Sequence, residues 1–385
     1  MDNPDNSNEQ LALFRFEAEN FRVLRKFHWQ PDGVVLLCGA NGVGKSSALA
    51  AMRFLRDFLK RGLQDAVRFA GGPRSLPNRA IGAKEPVTFS LQLNPVRWEL
   101  TISADGEGVN SLIGEKLMRG EEVVAERKLF DPTWTVRGEL RQNAPNSSLL
   151  EAVWLADQPG WLRRFRDFTL SMRIYGRFDN EAISNPRPGD DGDDFLSLDG
   201  RNLTYVLESW KKAQRKHGNR FDWVVKACRA AFPELFEDLE FDRNSADFYP
   251  PDSRNADDRL PLRLAADGLK AALLCLTAVA GTSEGGVVAI DEFESHLHPY
   301  AIRQILKSIR ELAETRNLTV VLTTHSPFAM NEFRSEPEQF YVIEPGPKPT
   351  PLPLSALHDA DWLEQFSLGD LYDRGDIAAQ AGKKR

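Results

Sequence analysis

The sequence predicts an α/β fold: a central, mostly parallel sheet with antiparallel strands ahead of it and a helical insertion within it. Three observations predict this. An apolar run, Val34-Val-Leu-Leu-Cys38, leads into a glycine-rich turn and then into a stretch with a helical apolar face, 46–58. A second apolar run, Val287-Val-Ala-Ile290, ends in Asp291-Glu292. A third, Leu318-Thr-Val-Val-Leu-Thr-Thr324, ends in His325. Short, near-continuous apolar strands alternating with helical stretches build parallel sheets, and ligands of such sheets gather at the carboxyl ends of the strands.

Taken in order, residues 1–10 are polar and acidic and read as a frayed tail. Residues 11–30 mix aromatic and charged side chains and read as two strands meeting near Glu19-Asn20. The segments 87–93 and 98–103 alternate as half-buried strands do, with a turn at Asn94-Pro95 between them. Strand character returns over 121–137, and 149–175 is helical in pattern with a break at Pro159-Gly160. Helical stretches follow at 203–210 and 221–232, then a loop-rich region at 241–260. From Leu264 a loop enters an apolar helix running to Ala280, and 300–315 is a further helix. A last strand covers 340–344. Five prolines between Pro345 and Pro353 exclude regular structure there, and a short element at 361–372 precedes a fraying end.

This order divides the chain into a tail at 1–10, a head formed by 11–104 and 200–344, an inserted mixed and helical region at 105–199, and a Pro-rich end at 345–385. A chain of 385 residues suits one large α/β domain with an elaboration, or two modest domains. With 42% apolar and 27% charged residues it is globular. The net charge of −7 means that nucleic-acid contact must rest on a local basic patch. Cys38, Cys228 and Cys275 are scattered in apolar contexts, which points to buried reduced thiols. The acidic start is no signal segment, and no apolar run reaches membrane-spanning length. A cytoplasmic protein without a membrane partner is the expectation.

The glycine-rich turn, Gly39-Ala-Asn-Gly-Val-Gly-Lys-Ser46, has the G-x-x-x-x-G-K-S spacing of a phosphate-binding loop. Gly39, Gly42 and Gly44 let the backbone curl so that N–H groups converge on oxyanions, and the following helix adds its positive end. Lys45 is expected at the β and γ phosphates and Ser46 on Mg2+, with Asn41 and Ser47 completing the cofactor-binding stretch. Asp291 is the second expected metal ligand. Glu292 is the expected catalytic group that orients water, and His325, ending the next strand, is expected at the γ-phosphate or the water. ATP and Mg2+ are thus the expected cofactors. The carboxylates of 189–194 lack the spacing and terminal Glu of a calcium loop.

The set Asp291-Glu-Phe-Glu-Ser-His-Leu-His-Pro299 with Leu322-Thr-Thr-His-Ser-Pro327 resembles ABC-type ATPase heads, the P-loop NTPases that include SMC, RecF and OLD proteins and stand-alone ATPases of anti-phage systems. Glu19-Asn-Phe-Arg22 resembles the opening strand of that group, which places Arg22 near the nucleotide. Ala266-Asp-Gly268 falls at the family signature, usually Ser-Asp/Gly-Gly. The resemblance implies two heads enclosing two ATP molecules, with Asp267 and Gly268 of one head meeting the γ-phosphate held by the other. It also implies that 294–298 crosses between heads as the D-loop. Two positions depart from the family pattern: Ala266 lacks the signature hydroxyl, and no glutamine fits the Q-loop, since Gln92 lies within a strand pattern.

The function expected from the sequence is an ATP-hydrolysing switch that forms a homodimer or higher homo-oligomer in a DNA-related process, anti-phage defence or DNA repair. Some roughly 40 residues after 344 are too few for a nuclease domain, so a nuclease or Toprim effector is expected on a separate polypeptide. DNA is a further expected partner, through Arg163, Arg164, Arg166, Lys211, Lys212, Arg215, Lys216 and Arg220. The alternative is a nucleotide-gated scaffold with little turnover that holds a toxin or nuclease.

Overall fold

The computed structural model describes residues 14–81, 85–103, 113–142, 147–176, 178, 180–190, 192–242, 245–253, 258–344, 346, 350–363 and 365–378. The tail at 1–10 and the fraying end after 378 therefore lie outside the described residues. The chain forms two compact units. One comprises Met1–Pro31, Ala50–Leu170 and Gly346–Thr350, and the other Asp32–Leu49, Ser171–Pro345 and Pro351–Arg385.

In chain order, alternating side chains bury one face of β1 (Phe14–Phe21) and β2 (Leu24–Trp29), and β3 (Val34–Gly39) is buried throughout. Helices α1 (Lys45–Arg61) and α2 (Leu63–Phe69) follow. Next come β4 (Val87–Leu93), β5 (Val96–Ile102), β6 (Ile113–Arg119), β7 (Glu122–Arg127), β8 (Trp134–Val136) and β9 (Glu139–Arg141). Ser148 caps α3 (Leu149–Asp157), and α4 (Gly160–Ser171) precedes β10 (Arg173–Tyr175).

The later half runs through α5 (Leu203–Lys212), α6 (Gln214–His217) and α7 (Arg220–Ala231) to β11 (Asp238–Asp242), β12 (Ser245–Tyr249) and β13 (Leu260–Pro261). Then come α8 (Asp267–Ala280), β14 (Val287–Ile290), α9 (Pro299–Arg316) and β15 (Thr319–Thr323). The described chain ends with α10 (Pro327–Asn331), β16 (Phe340–Ile343), β17 (Leu352–Pro353), α11 (Ala360–Leu363) and α12 (Leu368–Arg374).

In the first unit, eight antiparallel strands line up as β2-β1-β4-β5-β6-β7-β8-β9. The β6–β9 strands, which lie within the 105–199 stretch, continue the sheet that β1 begins. The sheet buries aromatics on one face: Phe54 stacks on Phe89 at 5.0 Å and Phe58 on Trp98 at 5.9 Å. An ion pair is buried in the sheet, Glu115 with Arg127 at 2.8 Å. Such a pair is tolerated only when its remaining hydrogen-bonding capacity is met. Glu115 meets that condition by accepting from Trp98 Nε1 at 2.8 Å and from the Leu149 N–H at 2.9 Å.

The second unit holds the sheet β10-β14-β15-β3-β16-β17, parallel except for β17. Every residue of α8 after Gly268 is buried, as a helix apolar on all sides requires. It packs on α7 and α9, and Trp210 of α5 lies in the same core. A small antiparallel sheet, β11-β12-β13, adds Leu239 and Phe248 to that core.

Four local expectations change. The first strand runs on through Asn20, and the chain turns at Arg22-Val23 instead of 19–20. Residues 173–175 are a strand paired parallel to β14, because Ile174 and Tyr175 find their burial in the sheet. The 241–260 region contains a hairpin, β11 to β12, whose acidic positions hide its alternation. Leu352-Pro353 pairs antiparallel with β16 inside the segment whose prolines were expected to exclude regular structure.

Candidate functional site

The sheet order decides where the site forms. Because β15 lies between β3 and β14, its end falls between the loop that follows β3 and the carboxylates that follow β14. Ser46 Oγ donates to Asp291 Oδ2 at 2.7 Å across 245 residues of sequence. Thr323, fully buried at the end of β15, donates through Oγ1 to Asp291 Oδ1 and accepts the Glu292 N–H at 2.8 Å. One threonine thus holds both acids. The sequence reading noted threonines around His325 but gave Thr323 no part; its strand-end position beside the acids was the signal.

The loop is shaped by its glycines. Gly42 and Gly44 adopt φ of 80° and 125°, a region that side chains disfavour. A Cβ on Gly39 would meet Val43 Cγ2 at 2.7 Å and the Ile343 carbonyl at 2.8 Å. Asn41 and Gly42 are exposed, Ser46 is exposed at the helix start, and Ser47 is half-buried. Lys45 is buried, and its Nζ donates to the carbonyls of Gly39 at 2.7 Å and Ala40 at 3.3 Å. Burial lowers the Lys45 pKa, while the carboxylates of Asp291, Glu292 and Glu294 pull it back up. The Cys38 thiol behind the loop is pushed up to about 12 by burial, so it stays neutral.

Glu292 and His296 take positive φ values, 50° and 68°. Non-glycine residues hold that conformation only where their surroundings fix it, and such positions cluster at functional sites. Glu294 fixes the far side: its Oε1 accepts the His325 N–H at 2.8 Å. Burial raises the Glu294 pKa, and the donated N–H opposes that rise. The His325 pKa is lowered, first by burial and then by the positive charge of Lys45, so the imidazole is neutral at pH 7. Its Nδ1 lies 2.9 Å from the Tyr372 hydroxyl.

The donor set fits MgATP. Ser46 and Asp291 offer two converging oxygens, and Mg2+ takes only one or two protein ligands when phosphates and water fill the rest. Lys45 and the loop amides fit the phosphates. Among the described residues no larger His, Cys, Asp and Glu cluster gathers elsewhere.

Of the sequence-derived site residues, the structure brings together Lys45, Ser46, Asp291, Glu292 and His325. Asp267 and Gly268 begin α8, where Asp267 pairs with Lys270 at 3.6 Å and its carbonyl accepts from Asn180 at 3.1 Å. Among the described residues, no hydrogen bond or ion pair joins Asp267 or Gly268 to the loop. Ala266 is the N-cap of α8 and supplies no side-chain cap. Arg22 belongs to the first unit, where its guanidinium donates to the Ala70 carbonyl at 2.9 Å. Gln92 of the same unit donates to Asn94 Oδ1 at 2.8 Å.

The eight cations considered for DNA divide between the units, Arg163, Arg164 and Arg166 in one and the rest in the other. Arg166 pairs with Glu151 at 2.8 Å, Lys212 with Glu208 at 2.6 Å and Lys216 with Asp194 at 2.6 Å. Lys211 donates to the Leu239 carbonyl at 2.7 Å, and Arg220 lies over Trp210 at 5.6 Å. The basic display is thus weaker than the sequence count implies. Among the described residues, no helix is long and apolar enough to cross a membrane.

Comparison with known proteins gives one family. No curated protein matches the sequence. Many solved structures match, and two of them are SMC heads by their descriptions. One is described as "Crystal structure of the SmcHead bound to the C-winged helix domain of ScpA", with 12% identity and a TM-score of 0.49 over 89% of this chain and 99% of that one. The other is the "SMC head domain from Thermotoga maritima", with 15% identity and a TM-score of 0.38 over 89% of this chain and 98% of that one. A family model described as "AAA domain, putative AbiEii toxin, Type IV TA system" matches residues 34–141 and 175–331, well over half of the chain. The chain therefore belongs to that AAA-domain family of P-loop ATPases.

Proposed function

We propose that this protein binds ATP with Mg2+ and hydrolyses it as a switch. The observation that carries the proposal is the bond from Ser46 Oγ to Asp291 Oδ2, with Glu292 held beside it by Thr323. In this reading Lys45 and the amides of residues 39–46 bind the phosphates, and Ser46 and Asp291 hold the metal. The metal supplies charge neutralisation at the phosphates. Glu292 orients the attacking water and takes its proton, and His325 donates to the transferred phosphoryl group. Arg22, Asp267 and Gly268 are carried by the sequence resemblance to ABC-type heads. There Asp267 and Gly268 act on the nucleotide of a second copy, so ATP closes the pair and hydrolysis releases it. The same resemblance, to SMC, RecF and OLD proteins, motivates a DNA-related role in anti-phage defence or repair with a separate nuclease effector.

A second reading rests on Ala266, the uncapped signature position. Without the hydroxyl, turnover is slow and the protein acts as a nucleotide-gated scaffold holding a toxin or nuclease. The family description names a putative toxin and a toxin–antitoxin system.

The test is multiple-turnover phosphate release with and without DNA, compared with Glu292→Gln. The switch reading expects sustained release that Glu292→Gln lowers by about 100-fold or more. ATP-dependent assembly without turnover supports the scaffold, and failure to bind ATP refutes both.

A further inference from the structure

We propose that Tyr372 is a positioning residue that holds His325 as the tautomer protonated on Nε2. The inference rests on the ATPase reading for its consequence, and on the Tyr372–His325 contact with a neutral ring and a protonated phenol for the tautomer. The phenol oxygen lies 2.9 Å from Nδ1, with the ring centroids 6.5 Å apart at 51°.

Tyr372 is fixed in place by the docking of α12. Ser367 caps that helix, accepting the Asp370 N–H at 3.1 Å. Leu368 and Leu371 are buried. The Gly369 N–H donates to Asn331 Oδ1 at 2.9 Å. A Cβ on Gly369 would come within 2.7 Å of Pro327 Cβ and 3.0 Å of its carbonyl oxygen, so the helix backbone sits directly on the segment that follows His325. From the other side Glu294 accepts the His325 N–H at 2.8 Å. The histidine is held by its backbone on one side and by its ring on the other.

A neutral imidazole has one N–H and one lone pair, and the bond made by one nitrogen decides what the other presents. Burial lowers the His325 pKa and raises that of Tyr372, so the ring is neutral and the phenol keeps its proton. A phenol donating to Nδ1 leaves the proton on Nε2. The ring then offers an N–H to a phosphoryl oxygen that gains negative charge as the bond to the leaving group breaks. The other tautomer would turn a lone pair toward that charge. The element that carries Tyr372 thereby tunes a site that includes Lys45, 327 residues before it in sequence.

The test uses the full-length protein labelled with 15N-histidine. The chain has six histidines, and loss of a signal in His325→Gln assigns the one of interest. Nδ1 is expected at the unprotonated shift in the wild type, and Tyr372→Phe is expected to give mixed tautomers with the melting temperature within about 2 °C. Protonated Nδ1 in the wild type, or an unchanged tautomer in Tyr372→Phe, overturns the proposal. Steady-state ATP turnover is the second arm. Tyr372→Phe lowers kcat about tenfold with KM little changed, and adds nothing in a His325→Ala background; a further loss in that background also overturns it. A wild type with the expected tautomer and no ATP turnover would refute the ATPase reading and leave the positioning of His325 standing.

Discussion

A Cβ added to Gly268 would lie 2.8 Å from the carbonyl oxygen of His296. That contact is closer than real Cβ atoms approach, and the opposing atom is backbone, which cannot swing aside. His296 itself sits at φ 68°, so its carbonyl direction is set by a conformation that few substitutions would preserve. The start of α8 and the turn after Glu292 are therefore locked together within one chain. Gly268→Ala is expected to cost about 1–2 kcal/mol through overpacking. Thermal melting should show the loss as a drop of roughly 2–8 °C. An unchanged melting temperature would mean that the turn yields freely.

Thr323 ties the acids to the sheet. It is fully buried, gives its proton to Asp291 and receives the Glu292 N–H. Thr323→Val keeps the shape and removes both bonds, so the half-buried Glu292 N–H loses this acceptor and Asp291 this donor. The expected cost is about 2 kcal/mol. If Glu292 is the catalytic carboxylate, ATP turnover also falls by about tenfold or more, since the acid loses its backbone anchor. Thr323→Ser restores the bonds and should recover most of the rate. A valine variant as active as the wild type would remove Thr323 from the site.

What the sequence revealed and what it hid follow the range of the interactions. The β3–loop–α1 unit was readable because strand, glycines and helix are contiguous, and Asp291-Glu292 and His325 were readable as strand ends. The partnership of Thr323 with Asp291 was not, because it requires β15 to lie between β14 and β3, and strand order is a long-range property. Tyr372 was invisible for the same reason, standing 47 residues beyond His325 in a tail read only as a short element. The β11–β12 hairpin was missed because Asp238, Glu240, Asp242 and Asp247 mask its buried face, which is carried by Leu239, Ala246 and Phe248.

Glu294 should leave a signature in the pH dependence of stability. Burial raises its pKa, and among the described residues its Oε2 is buried with no hydrogen-bond partner. A carboxyl raised in the folded state holds its proton where the unfolded chain has already released it. Its contribution is full below the ordinary value of about 4.5 and is lost as pH rises through the folded pKa. Glu294→Gln is neutral at every pH and still accepts the His325 N–H through its amide oxygen. The difference in melting temperature, variant minus wild type, is expected to grow as pH is raised from about 4.5 toward 7. A constant difference across that range would show that Glu294 titrates as an ordinary surface carboxylate.

Ala266 separates the structural from the catalytic meaning of the signature. Its φ and ψ of −56° and 144° are those of an N-cap, but it offers no oxygen to the free amides of the first turn of α8. Ala266→Ser supplies that oxygen and is expected to stabilise the protein by about 1 kcal/mol, raising the melting temperature by roughly 2–4 °C. This gain needs no nucleotide and no second chain. If the signature also completes the ATP site of a facing copy, the serine variant should turn ATP over faster, and the excess rate should climb with protein concentration. A stabilised variant with unchanged turnover at every concentration would assign the hydroxyl to helix capping alone. The backbone amides at Asp267 and Gly268 would then suffice for whatever the signature does in trans.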